Sequence, residues 1–194
     1  DHSTISRTRR LIDLEAHRDL FTWVLARLGE AGLVKGQTIA IDATTLEANA
    51  ALRQIVRRDT GETYHAFLST LARASGIETP TRAELARLDR KRKKKGSNDE
   101  WTSPSDPDAK IAKMKDGRTR LAHKAEHAVD LETGAIVAVT IQGADEGDTQ
   151  TLPDTLAEAV AQLDQVTDAD GEPVALAEEV VADKGCHSRA VVLD

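Results

Sequence analysis

Apolar residues recur at helical spacing from Leu14 to Ala31, with Phe21, Val24, Leu25 and Leu28 spaced to share a face and Gly32 placed to stop the helix. Before it, His2 to Arg7 reads as a capped turn entering a helix, with Ser3 or Thr4 as the cap. Gly36 opens a β-branched strand, Gln37 to Ile41. After Asp42 the pattern predicts helix, with Leu46, Ala50 and Ile55 on one face, and then a second helix through Tyr64, Phe67, Leu68 and Leu71. Thr81-Arg82-Ala83-Glu84 has the form of a capping box and starts a third helix. Gly96 to Gly117, rich in Ser, Asn, Asp, Pro and Gly, reads as a loop. Ala122 to Asp130 and Ala135 to Ile141 read as a hairpin about the turn Leu131-Glu132-Thr133-Gly134. An acidic loop from Gly143 to Asp148 follows. Thr151 to Asp164 is then helical, with Leu152, Leu156, Val160 and Leu163 on one stripe. Glu178 to Ala182 is a last strand, and Ser188 caps a further helix. This order, with its helices and strands interleaved, predicts an α/β fold: a mixed sheet with helices packed on it.

The 194 residues suffice for one domain with a core and a small appendage. No apolar run approaches the ~18–20 residues that span a bilayer, and no signal peptide opens the chain. Cys186 is the only cysteine, which excludes an intrachain disulfide framework and a cysteine-based zinc site and fits a reducing, cytoplasmic setting. The chain opens at Asp1, carries one methionine, Met114, and stops within an apolar run, so we expect a piece of a longer protein. A formal charge of −7 argues against a dedicated nucleic-acid-binding domain. The run Arg90-Lys91-Arg92-Lys93-Lys94-Lys95 is nevertheless strongly basic and fits either DNA phosphates or a solvated helix end. Lys113, Lys115, Arg118 and Arg120 extend that choice along the chain.

Two aspartates carry the candidate chemistry. Asp42 ends the strand Thr38-Ile39-Ala40-Ile41, and Asp183 ends Val180-Val181-Ala182. Carboxylates delivered from separate strands suit hard cations such as Mg²⁺ or Mn²⁺, which can activate an attacking oxygen and stabilise a leaving oxygen at phosphorus. On the residues alone, the two aspartates read first as strand ends that cap the next turn. His123 and His127, four apart in a strand, stand roughly 13 Å apart and suit structural roles rather than one metal. Asp145, Glu146 and Asp148 read as a solvated loop, Cys186 as a packing residue, Trp23 as core and Trp101 as loop packing.

Several segments, taken in order, resemble DDE-class insertion-sequence transposases. They are Asp1-His2-Ser3-Thr4-Ile5-Ser6; Ile39-Ala40-Ile41-Asp42-Ala43-Thr44 followed by Leu46-Glu47-Ala48-Asn49-Ala50; Asp106-Pro107-Asp108-Ala109 with Lys113-Met114-Lys115-Asp116-Gly117; His123 to Asp130; and Val181-Ala182-Asp183-Lys184-Gly185. The resemblance implies an RNase H-like mixed sheet flanked by helices, with a helical insertion after the first strand. In these terms residues 1–36 lead into the core, 37–194 form an incomplete core, and about 50–118 are the insertion. It further implies Asp42 and Asp183 as catalytic metal ligands for Mg²⁺ or Mn²⁺, and cleavage and strand transfer of double-stranded DNA at transposon ends and target. It allows a homodimer and requires no membrane. Family members carry Tyr where this chain has Cys186, and a third acidic residue, a Glu on a later helix. No Glu follows Asp183, and Asp194 is too near in sequence to replace it. Two other readings remain open at this level: a remnant that binds DNA or oligomerises without catalysis, and a metal-dependent nuclease or phosphatase with a similar sheet.

Overall fold

The computed structural model describes residues 2–93 and 96–183. Among these described residues, five α-helices and seven strands follow in chain order: α1 (His2–Arg9), α2 (Leu14–Glu30), β1 (Thr38–Glu47), β2 (Val56–Arg57), α3 (Tyr64–Ala74), α4 (Arg82–Lys91), β3 (Trp101–Thr102), β4 (Lys110–Lys113), β5 (Thr119–Asp130), β6 (Ile136–Gly143), α5 (Asp148–Leu163) and β7 (Glu179–Ala182). A 3-10 turn at Leu52–Gln54 separates β1 from β2. The fold is mixed α/β. A five-stranded sheet runs β4-β5-β1-β7, with β6 also paired to β5, while β2 and β3 form a separate pair. The sheet is mixed, because β1 and β7 are parallel and β4 and β5 antiparallel. No helix among the described residues is long and apolar enough to cross a membrane.

The described chain divides into two compact units. The first takes in residues 2–43, 126–140 and 147–183. Its core joins Leu25 of α2, Ile39 and Ile41 of β1, Ala128 of β5, Val137 and Ala138 of β6, and Leu152, Ala159 and Leu163 of α5. Helix α2 forms where the apolar period requires it. Asp13 caps it by accepting from Ala16 N at 2.8 Å, and Gly32, at φ +71°, turns the chain out so that Leu33 N reaches back to Leu28 O at 2.8 Å.

Asp130 organises the approach to β1. It is fully buried, and its carboxylate accepts from Lys35 N (2.6 Å) and Gly36 N (3.0 Å) on one oxygen and from Glu132 N (2.9 Å) and Thr133 N (3.3 Å) on the other. Gly36 is required here, since its φ is +73° and a Cβ would stand 2.0 Å from Ala175 O. Burial pushes the Asp130 carboxyl up, but the four N–H donors outweigh it and hold it below the usual 3.8.

The second unit comprises residues 44–125 and 141–146. Trp101, 2% exposed, packs with Ile55, Ala109 and Leu121, and Tyr64 and Phe67 meet it edge-on with ring centroids 5.0 and 5.3 Å away. Helix α4 starts at the expected capping box: Glu84 N donates to Thr81 Oγ1, and Thr81 N to Glu84 Oε2. Tyr64 OH donates to Asp89 Oδ1 at 2.7 Å. Burial, then this bond, pushes the Tyr64 phenol up to about 12.

Several sequence expectations give way. No helix follows Asp42. Strand β1 continues through Glu47, Leu46 is 46% exposed, and Ala48 N still bonds Leu121 O at 2.8 Å, so a distant strand overrides local helix preference. The stretch expected to be loop from Gly96 to Gly117 contains β3 and β4. Asn98 caps β4 there, accepting from Ile111 N at 2.6 Å and donating to Ile111 O at 3.2 Å. Trp101 is therefore core, and Trp23, expected in the core, is 59% exposed. Helix α1 already begins at His2, so Thr4 lies inside it rather than capping it.

Asp130→Asn leaves one carbonyl oxygen for four N–H donors, one of them buried and three part-buried, and should cost about 3 kcal/mol, read by denaturant unfolding. In the wild type the Asp130 contribution is whole at neutral pH, because the folded carboxyl binds its proton less tightly than the unfolded one, and it should fade as pH falls below about 4. Tyr64 is the only tyrosine. Its ultraviolet titration should therefore show one transition near 12. Asp89→Asn should bring that transition down without restoring the ordinary value of about 10.

Candidate functional site

The parallel register of β1 and β7 runs Thr38 with Glu179, Ile39 with Val180, Ala40 with Val181 and Ile41 with Ala182. The residues that follow are Asp42, within β1, and Asp183, just past β7. Strands lie about 4.8 Å apart, and register partners in a parallel pair share a face. The bond from Thr38 Oγ1 to Glu179 Oε2, 3.1 Å, marks the face on which Thr38, Ala40 and Asp42 alternate with buried Ile39 and Ile41. Both aspartates are exposed. Asp42 lies in the middle of β1 rather than at its end, and its Oδ1 accepts from the adjacent Ala43 N at 2.9 Å. The donor set is hard oxygen, the kind that suits Mg²⁺ or Mn²⁺ rather than a soft metal. Among the described residues no group of three or more His, Cys, Asp or Glu gathers in metal-binding geometry.

The basic run separates into unlike members. Arg90, Lys91 and Lys93 are exposed, on or just past the end of α4. Arg92 instead turns inward, with its side chain 16% exposed. Its guanidinium donates to Tyr64 OH and Asp89 Oδ1, each at 3.1 Å, and lies 4.9 Å over the Phe67 ring. Lys94 and Lys95 lie outside the described residues, as do Lys184, Gly185, Cys186, Ser188 and Asp194.

His123 and His127 both lie on β5 and are half-buried. His123 Nε2 is 3.0 Å from Asp106 Oδ2, at the edge of a cleft of about 460 Å³ that also touches Lys110 and Glu146. The His123 hydrogen bond holds the Asp106 carboxyl below its ordinary range, against the opposing pull of burial. In the acidic loop, Asp145 accepts from Asn98 Nδ2 at 2.9 Å, and Glu146 Oε1 from Gly143 N at 3.0 Å. Asp148 opens α5.

The residue that sequence reasoning passed over is Glu126, 1% exposed on β5. Thr155 Oγ1 donates to its Oε2 at 2.6 Å, and Thr151 Oγ1 to its Oε1. Thr155 spends its single proton on the carboxylate, so Thr140, 2.6 Å away, donates to Thr155. The network locks β5 and β6 to α5 with a buried carboxylate satisfied by hydroxyls. Its trace in the sequence is the pair Thr151 and Thr155, four residues apart on the buried stripe with Leu152 and Ala159.

No family model matches the chain, and no curated protein or solved structure matches it significantly.

Proposed function

We propose that this chain is catalytic-core sequence of a DDE-class insertion-sequence transposase, with an RNase H-like sheet and Mg²⁺- or Mn²⁺-dependent cleavage and strand transfer of double-stranded DNA in the bacterial cytoplasm. The observation that carries the reading is the parallel register ending at Ile41 and Ala182, with Asp42 and Asp183 next on each strand. The element order supports it further. A strand bearing one aspartate is flanked in the sheet by a hairpin strand and by a later parallel strand leading to the second, with α5 between hairpin and last strand.

In this reading the protein's work is positional. Buried Ile39 and Ile41 hold β1 rigid, and the Ala43 amide fixes the Asp42 carboxylate. Neighbouring parallel strands would carry the two carboxylates side by side on one face, so that both could reach a single divalent cation. Such a cation would activate the attacking oxygen and stabilise the leaving oxygen in an in-line displacement at phosphorus. Exposure of both aspartates leaves the site open to a substrate as bulky as duplex DNA. Arg90, Lys91 and Lys93, with Lys94 and Lys95 beyond, supply phosphate contacts, whereas Arg92 acts as a strut within its own unit. A homodimer is compatible with this scheme.

Calorimetric titration with Mg²⁺ and Mn²⁺ tests it on wild type, Asp42→Asn and Asp183→Asn. Loss of a carboxylate that touches the ion should weaken binding by at least the roughly 10–100-fold typical of losing a residue that only orients a ligand. Both variants should show that loss. A wild type that binds neither ion, or a variant that binds like wild type, defeats the two-aspartate site.

A further inference from the structure

Residues 110–120 contain five basic side chains and one acid, in a chain whose formal charge is −7. They form the antiparallel ribbon of β4 and β5, with Lys110 opposite Ala122, Ile111 opposite Leu121, Ala112 opposite Arg120 and Lys113 opposite Thr119. The turn is braced: Met114 N donates to Arg118 O at 2.8 Å, Gly117 N to Met114 O at 2.9 Å, and Arg118 N to Asp116 Oδ1 at 2.9 Å. Gly117, at φ +80°, supplies the left-handed residue that the turn needs.

The cations have two jobs. Arg120 is held by Glu47 and by Asp116, the latter at 3.6 Å, and stiffens the base of the tip. Those two carboxylates hold the Arg120 guanidinium charged, its pKa raised chiefly by the hydrogen bond to Glu47. Lys113, Lys115 and Arg118 instead point their charge at solvent. All three are exposed, Arg118 has only a loose 3.9 Å approach to Asp116, and neither lysine has an ion pair or hydrogen bond among the described residues. Alternation places Lys113 on the Ile111–Leu121 side of the ribbon and Lys110 and Arg120 on the other, with Lys115 and Arg118 at the end. Ile111 and Leu121 pack into the core and β5 is also tied to β1 through Ala48 N and Leu121 O, so the free positive charge lies at the tip, residues 113–119.

A ribbon of two strands, about 4.8 Å apart, fits the major groove, about 12 Å wide, whose two walls are lined with phosphates. We propose that the β4–β5 tip is a DNA-contacting arm, inserted in the groove of duplex DNA with Lys113, Lys115 and Arg118 on the flanking phosphates. The arm rests on the reading that this protein acts on DNA, and it adds a contact surface separate from the basic run after α4.

Fluorescence anisotropy with a labelled generic duplex, in EDTA and over a range of salt, tests the arm independently of the metal site. The variant replaces Lys113→Gln, Lys115→Gln and Arg118→Gln together; all three side chains are exposed, so its melting temperature should match wild type. Each phosphate contact contributes about 0.9 to the slope of log K against log salt, so the triple variant should bind more weakly with a slope shallower by about 2.7. Wild-type binding that survives the triple substitution with its slope intact, or that is lost only in Arg90→Gln/Lys91→Gln/Lys93→Gln, overturns the arm and leaves the transposase reading standing. Equal affinity for single strands overturns the groove fit. A wild type that binds no duplex overturns the arm and the transposase reading together.

Discussion

Four backbone N–H groups converging on one buried carboxylate, Asp130, set the geometry on which the candidate site depends. Two come from Lys35 and Gly36, the residues entering β1, and two from the β5–β6 turn. Without that anion the entry to β1 would carry buried, unpaired donors. With it, Gly36 is clamped where its own carbonyl accepts from Ala177 N at 2.8 Å, and the approach to β7 is thereby paired as well. One side chain thus ties the hairpin to both strands that lead to Asp42 and Asp183.

The other unit is held by different physics. Its centre is an edge-to-face aromatic group, Tyr64, Phe67 and Trp101, in a chain only 3% aromatic. Concentrating so few rings in one place lets a 2-residue strand and short helices share a core. Arg92 extends that core outward: its guanidinium covers Phe67 while its donors satisfy Asp89 and the Tyr64 hydroxyl. A cation that closes an aromatic cluster is a packing element as much as a charge.

Much of the scaffold was legible in local pattern. The capping box at Thr81, the 3.6-residue stripe of α5 and the β-branched runs of β1 and β6 are each written within a few residues. The misreadings share a cause, which is pairing over long sequence separation. Ala43 to Glu47 reads locally as the start of a helix, yet it stays extended, and Ala48 N continues the pairing to Leu121 O. Strand β4 is short and sits in polar sequence; its terminus is completed by the Asn98 amide, 13 residues away. Trp23 lies outside the stripe of Phe21, Leu25 and Leu28 and is exposed, so a large aromatic ring is a poor guide to the core there. At the site, both aspartates could be marked from sequence because each ends an apolar run. The pairing of those two runs could not, since it depends on a register between strands about 140 residues apart.

That register also decides where this chain tolerates a change of length. Ala175 N bonds Lys35 O and Glu179 N bonds Gln37 O, so the phase of β7 against β1 is set before β7 begins. Residues added to the turn around Asp168 to Glu172 would bulge outward and leave the phase untouched. One residue added between Ala175 and Asp183 would carry the second carboxylate about 3.3 Å along and turn it to the opposite side of the sheet. Over those few positions the spacing of the chain matters more than the identity of its side chains.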